Sequence, residues 1–377
     1  MPRQETIHHC FDLANASGGG IETYVETLLK FHPSGVSDRL LSSLTDIDQS
    51  QYELLHVHQQ KLLWELRGEC PTVYTVHNHG PYCPSGTKFL RTSGCGCDRQ
   101  VSTFGCIWGH LIDGCGSRKP QNILQGFQNA HQDIATLKQL NVMTVAISDY
   151  VRNQLIRHGL PAQQVVTVRN SILMPETLAE PLTREIHQQR RILFVGRVVP
   201  YKGLEWLLKT LPHTDPRIHL DIAGDGWDRP RMERFVKTSG LSDRVTWHGW
   251  CNSRKVEELY QQCFTLVFPS LWHEPAGLVS LEAYAHHRPV IASHMGGIPE
   301  YVQHEKTGIL VPSNDVKALA SAIDNLAENY SKAKQIGEQG HAYLLQELTL
   351  NQHIQQLKRV YEVAIQNFYT QKTYNLS

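Results

Sequence analysis

Two consecutive series of short β-rich runs, each run followed by a turn and a helix-patterned segment, constrain this chain more than any other feature. The first series is TIHHCFDL from Thr6, YELLHVH from Tyr52, TVYTVHN from Thr72, MTVAIS from Met143 and VVTVRN from Val165. The second is RILFVG from Arg191, HLDIAG from His219, VTWHGW from Val245, TLVFPS from Thr265, PVIAS from Pro289 and GILVP from Gly308. Strand and helix alternating in this way predict parallel sheets, because parallel neighbours need a crossover and a helix is the usual one. Ile21 to Phe31 and Asp149 to His158 carry apolar residues at helical spacing, and Ser148 is placed to cap the second helix. The stretch from Met174, with two prolines and no strand pattern, reads as a linker. The expectation is an α/β chain of two Rossmann-like domains, residues 1–175 and 190–360, joined by a linker at 176–189. Residues 361–377 form a C-terminal helix that could pack back on the N-terminal domain.

Composition excludes several classes. Lysine plus arginine number 36 and aspartate plus glutamate 36, so the chain is no electrostatic partner for nucleic acid. Hydrophobic residues at 41% and charged ones at 19% match an ordinary globular protein. No run approaches the roughly 18 apolar residues of a membrane span. His8, His9 and Asp12 stand where a signal peptide would be apolar, so a cytoplasmic protein is expected.

The chemistry is concentrated after two strands of the second series. FVGRVVPYKGLEWLL from Phe194 ends a strand on Gly196, places Arg197 and Lys202 in a loop, and opens a helix after Gly203. Glycines let backbone approach a ligand, and two cations at a helix start can hold a diphosphate without a metal. PSLWHEPAGLVSLEAYAHHRPV from Pro269 carries Glu274, the small residues Ala276 and Gly277, and then Glu282 on a helix. Eight positions separate the two carboxylates, roughly 12 Å if the span were helical. That exceeds the roughly 5 to 9.5 Å of a glycosidase pair acting on one bond. It suits the two ends of one elongated ligand, sugar hydroxyls at one and a ribose diol at the other.

These residues resemble the E-x7-E motif of retaining glycosyltransferase family 4, whose members have the GT-B fold, two Rossmann-like domains facing a central cleft. The resemblance includes ASGGGIETYV from Ala16, similar to the family's Gly-Gly-x-Glu loop at Gly19, Gly20 and Glu22. It extends through LLHVH from Leu54, TVHN from Thr75, AISDYVRNQL from Ala146, GRVVPYKG from Gly196 and GGIPEYVQHEKTGILVP from Gly296. It implies that Arg197 and Lys202 bind the donor diphosphate and neutralise the leaving group. Glu274 would hold the transferred sugar and Glu282 the ribose. The backbone of Ala276, Gly277 and Leu278 would meet phosphate, and Gly20 would let the N-terminal loop close over it. His77 matches the family's active-site histidine, near the transferred sugar and the acceptor. Trp250 is a candidate for stacking on the base, although an aromatic beside a strand is more often core. Attack from the front face, with the departing phosphate oxygen taking the acceptor's proton, would need no protein nucleophile and no metal. The implied partners are a nucleoside-diphosphate sugar and a glycan, lipid-linked or small-molecule acceptor. Relatives that build glycolipids make peripheral membrane contact conceivable, yet the balanced N-terminal half shows no basic amphipathic anchor.

Asn170-Ser171 departs from the Asn-Gly often found in the family, so no role is carried to that position. Asp46-Ile47-Asp48 resembles a metal-binding D-x-D but lacks its context and reads as a solvated turn. Five of nine cysteines, Cys83, Cys95, Cys97, Cys106 and Cys115, lie in an insertion at 83–115 that also holds His110. Four thiolates could close a tetrahedral structural zinc site, and some family 4 members carry a similar insertion. Free thiols and disulfides are the alternatives, the last disfavoured in a reducing compartment. Cys10, Cys70, Cys251 and Cys263 read as small core residues. Two rivals share the architecture, a nucleotide-sugar epimerase and a non-catalytic nucleotide-sugar-binding scaffold; the E-x7-E pattern with its cations opposes both. An NAD dehydrogenase is set aside because the loop from Ala16 lacks G-x-G-x-x-G.

Overall fold

The computed structural model describes residues 5–12, 20–31, 36–45, 47–175 and 179–376. Its contacts divide the chain into two compact units. Unit 1 comprises Met1–Lys88, Asp98–Leu173 and Leu350–Ser377; unit 2 comprises Phe89–Cys97 and Met174–Thr349. The last helix thus groups with unit 1 from Leu350, earlier than the change at 361 expected from sequence.

Unit 1 is built on a sheet of six parallel strands: β1 Glu5–Cys10, β2 Val36–Leu41, β3 Leu54–Val57, β4 Thr72–Val76, then, beyond a short hairpin of β5 Phe89–Leu90 and β6 Cys95–Gly96, β7 Met143–Ala146 and β8 Val165–Thr167. The order across the sheet is β2-β1-β3-β4-β7-β8. β3, β4 and β7 are buried along their whole length, as expected of strands covered on both faces. Helix Asp149–Arg157 starts at Ser148, whose hydroxyl accepts from the Val151 amide at 3.2 Å. β2 was not anticipated: VSDRLL is too polar at its centre to read as a strand, and pairing with β1 along its whole length defines it.

Unit 2 carries β9 Arg191–Val195, β10 His219–Ala223, β11 Val245–Gly249, β12 Thr265–Phe268, β13 Val290–Ser293 and β14 Gly308–Val311. These are the six runs of the second series, ordered β11-β10-β9-β12-β13-β14 and all parallel. This is the doubly wound Rossmann order, in which the chain moves one way from β9 and returns to add β12 on its other side. Ligands in such sheets bind at the carboxyl ends of the two strands flanking that reversal, here β9 and β12. The hairpin of β5 and β6 packs within this unit. Phe89 lies edge-on to Tyr201 and the Arg91 guanidinium sits 4.9 Å over the Trp227 ring. Both units therefore show the fold expected from sequence.

Candidate functional site

The carboxyl ends of β9 and β12 are locked together by backbone that only glycine can supply. Gly203 adopts φ +74°, and a Cβ there would lie 1.7 Å from the Pro269 carbonyl oxygen, so the loop after β9 rests directly on the loop after β12. The Leu271 amide donates to the Tyr201 carbonyl at 2.9 Å, fixing the same contact. This brings Lys202 to Glu274. Lys202 Nζ donates to Glu274 Oε1 at 2.7 Å, with side-chain exposures of 19% and 5%. The Ser270 hydroxyl donates to the same oxygen at 2.6 Å. Gly296, at φ +58°, lets its loop approach where a Cβ would come within 2.6 Å of the Glu274 backbone, and the Gly297 amide donates to the Glu274 carbonyl at 2.7 Å. Lys202 Nζ also lies 5.3 Å from the Trp272 ring centroid, and Trp272 packs on Tyr201 with centroids 4.8 Å apart.

A carboxylate this buried is tolerable only when it is paired and hydrogen-bonded, and Lys202 and Ser270 both donate to its Oε1. The pair also poises one cation and one acceptor for a ligand that carries both negative charge and hydroxyls. Arg197, immediately after β9, is exposed, its guanidinium carbon 5.7 Å from the Tyr201 ring centroid. Gly196, between β9 and Arg197, takes φ +151°.

Helix Leu278–Ala285 starts at Gly277, with no side chain bonded to its first amides. Helix starts leave such amides available to an anion. Ala276 and Leu278 are half-buried beside it. Within the helix, Glu282 Oε2 accepts from the Tyr260 hydroxyl at 3.1 Å. Burial pushes the Glu282 carboxyl up to about 7, the Tyr260 bond opposing the shift. Trp250, at the end of β11 on the sheet's far edge, is 70% exposed and so is not core. The carboxyl edge of this sheet thus presents, in order, an exposed aromatic, Arg197, and the Lys202–Glu274 pair.

Unit 1 places His77 just after β4, beside a stack of imidazoles that sequence reasoning missed. His9 on β1 stands opposite His56 on β3. His9 Nδ1 shares a hydrogen bond with His58 Nε2 at 3.0 Å, and His58 Nδ1 shares one with His77 Nε2 at 3.3 Å. His56 is held between the Tyr361 hydroxyl at 2.8 Å and the Thr75 hydroxyl at 2.7 Å. Tyr24 packs edge-on to His77, and its hydroxyl bonds His353 Nε2 at 2.8 Å. Burial lowers His77 to about 3 and His353 to about 4, and takes His56 and His58 well below the usual range, so all are neutral at pH 7. Each link in the His9–His58–His77 chain holds one proton, so the tautomer of one ring sets the next. The signal available beforehand was the i, i+2 spacing of His56, on β3, and His58, just past it, which in extended backbone points both to one side.

Gly20 opens helix Gly20–Lys30 and is exposed, while Glu22 is half-buried in its first turn. Gly19 and Asp46 lie outside the described residues; Asp48 caps a single helical turn by accepting from the Ser50 amide at 3.1 Å.

The cysteines do not assemble as expected for a zinc site. Among the described residues, the group that brings three ligand atoms within 4.8 Å of one another is His9, His56 and His58, and no three of the five sulfurs do so. Cys95 and Cys97 belong to the hairpin of β5 and β6, which packs in unit 2, whereas Cys83, Cys106 and Cys115 belong to unit 1. None of the nine is in a disulfide. Burial raises the Cys106 thiol above its ordinary value, which opposes thiolate formation. The histidine group is no better as a metal site, because both nitrogens of His56 and of His58 are already engaged.

Comparison with known proteins adds to this geometry. Residues 182–343, all in unit 2, match the model of the family described as glycosyl transferases group 1. An uncharacterised glycosyltransferase of Methanocaldococcus jannaschii is 29% identical over 47% of this chain and 46% of its own length. D-inositol 3-phosphate glycosyltransferase of Streptomyces bingchenggensis is 32% identical over 38% of this chain and 34% of its own. The chain thus spans half or less of these two relatives. The crystal structure of Anabaena HepE in complex with UDP and glucose superposes with a TM-score of 0.71 at 17% identity, covering 95% of this chain and 100% of that one. The shared fold is GT-B, two parallel-sheet α/β domains in one chain.

Proposed function

We propose that this protein is a retaining glycosyltransferase of family 4 that moves a sugar from a nucleoside-diphosphate sugar to an acceptor hydroxyl, in glycan, glycolipid or other glycoconjugate synthesis. The observation that carries the reading is the Lys202–Glu274 pair at the β9/β12 reversal, with Arg197 beside it and the amides of helix Leu278–Ala285 following. Arg197 and Lys202 receive the diphosphate, and their charge balances the negative charge that builds on the leaving oxygen, so the chemistry requires no metal. As Lys202 turns to phosphate, Glu274 is freed to accept from hydroxyls of the transferred sugar. Glu282 accepts from the ribose diol and Trp250 stacks on the base. In unit 1, His77 stands near the acceptor as a neutral imidazole.

The acceptor oxygen forms its bond to the anomeric carbon on the face from which the diphosphate departs. The carbon–oxygen bond to the β-phosphate breaks with its electron pair, and that phosphate oxygen takes the acceptor's proton. Configuration is thereby retained without a covalent intermediate on the protein. The fold is that of a protein crystallised with UDP and glucose, and the curated relatives named above are glycosyltransferases, which supports this class over an epimerase.

The test offers the purified chain UDP-, GDP- and ADP-sugars with candidate acceptors and follows released nucleoside diphosphate and product configuration. Transfer with retention is expected, unaffected by chelator, and Arg197→Ala or Glu274→Ala should lower kcat about 10²- to 10³-fold. An epimerised nucleotide sugar as product, or full transfer by both variants, would refute the assignment.

A further inference from the structure

The hairpin of β5 and β6 leaves the unit 1 chain at Lys88 and returns to it at Asp98, yet it packs within unit 2. Phe89 and Gly96 are direct cross-strand partners, as are Leu90 and Cys95. Directly opposed residues share one face of a ribbon, so this face carries an aromatic ring beside a position with no side chain. The Phe89 ring, buried, lies edge-on to Tyr201 with centroids 6.2 Å apart. At Gly96 the space is filled from the loops of unit 2: an added Cβ would lie 2.7 Å from His273 Nε2 and 2.7 Å from Met295 Cε. Ordinary carbon contacts need roughly 3.5 to 4.0 Å. Gly96 is not among the glycines of positive φ, so the position uses the absence of a side chain and not a left-handed backbone.

Both contacts land on immediate neighbours of the site's charged pair. Tyr201 precedes Lys202, and His273 precedes Glu274. Met295 precedes Gly296, whose own close approach to the Glu274 backbone leaves no room for a Cβ. The Gly297 amide, donating to the Glu274 carbonyl at 2.7 Å, ties the loop after β13 to the loop after β12. Gly96 therefore rests on the two loops that meet at Glu274, touching a side chain from each. Arg197 and helix Leu278–Ala285, the groups that face the diphosphate, lie in other segments.

We propose that Gly96 is a positioning residue for the donor sugar, the hairpin setting through His273 and Met295 where the Glu274 carboxylate stands. This rests on the proposed transfer, in which Glu274 holds hydroxyls of the sugar. A side chain at position 96 pushes the two loops outward by about 1 Å, the gap between 2.7 Å and an ordinary contact. A misplacement of that size costs up to about 100-fold in rate. The diphosphate, held by other segments, keeps its affinity. In the sequence Gly96 stands between two cysteines and reads as part of their cluster. Its partner across the hairpin and the loops beneath it are properties of the fold.

The test sets a nucleotide-only readout against a sugar-dependent one on the full chain. UDP, GDP and ADP are titrated by calorimetry, and initial rates are taken with whichever UDP-, GDP- or ADP-sugar the wild type turns over. Gly96→Ala should bind the nucleoside diphosphate one-to-one and within about two-fold of wild type, while kcat falls at least about ten-fold. A misfolded fraction would instead lower binding stoichiometry and rate together. Adding Met295→Ala to Gly96→Ala makes room for the new methyl group and should bring kcat back to within about three-fold of wild type. Cys95→Ser, exposed on the hairpin's other face, should leave both readouts within about two-fold. Undiminished turnover by Gly96→Ala, an equal loss of nucleoside-diphosphate affinity, no recovery with Met295→Ala, or the same loss in Cys95→Ser overturns the proposal and leaves the transfer reading standing. A wild type that binds none of the three nucleotides overturns both.

Discussion

At the scale of residues, the site works by holding ionisable groups in the form the chemistry needs. Glu274 Oε1 accepts from both Lys202 and Ser270, which offsets the cost of burying its charge. Glu282 differs, since burial raises it to about 7 with one hydroxyl in support. A ribose diol donates best to the carboxylate, so donor affinity should rise with pH through about 7 and flatten above it. Titrating binding of an intact nucleotide sugar, whose diphosphate does not itself titrate here, should give about a ten-fold gain from pH 6 to pH 8. Glu282→Gln should bind more weakly with no such pH dependence; a wild-type affinity that is flat across this range would contradict the ribose role. The sequence placed Arg197, Lys202 and Glu274 in loops after strands and Glu282 on a helix, and the structure has them there. Ser270, Tyr201 and Trp272 were not legible, because their parts depend on the Gly203 contact between two loops 70 residues apart in the chain.

At the scale of elements, the strands read well and their company did not. All six strands of unit 2 stand where the β-rich runs predicted, and β12 and β13, buried along their whole length, show why: a fully buried parallel strand is a short apolar run. The histidine stack was invisible because His9 and His56 lie on two strands and His77 just past a third, and the order of those strands, β1-β3-β4, is a property of the sheet. Helix Leu350–Leu376 completes it, bringing Tyr361 onto His56 and His353 onto Tyr24, and burying Leu357, Val360 and Ala364 against Ile7, Val73 and Val145. This arrangement has a thermodynamic cost in acid. His77 and His353 titrate at about 3 and about 4 in the folded state, against about 6.5 when unfolded. The unfolded chain therefore binds more protons across that window, and stability, complete above about 6.5, falls as pH drops towards 4. Urea midpoints for the Tyr361 side of unit 1 should decline over this range, and His77→Gln should make the decline shallower. A midpoint constant from pH 7 to 4.5 would show that these rings are not held neutral.

At the scale of the whole molecule, two Rossmann-like units in one chain were readable from the doubled strand series, whereas the path of the chain between them was not. The last helix groups with unit 1 and the hairpin Phe89–Cys97 with unit 2, both by packing that no local pattern announces. Among the described residues no helix is long and apolar enough to cross a membrane. The central claim is that unit 2 binds a nucleoside diphosphate at the β9/β12 reversal, and calorimetry tests it without knowledge of the acceptor. UDP, GDP and ADP titrated into the full chain should show one-to-one binding of at least one of them. Arg197→Ala, which removes an exposed cation that holds no other element in place, should weaken that binding about ten- to a hundred-fold with the melting midpoint unchanged. Binding of none of the three, or undiminished binding by Arg197→Ala, would contradict the account.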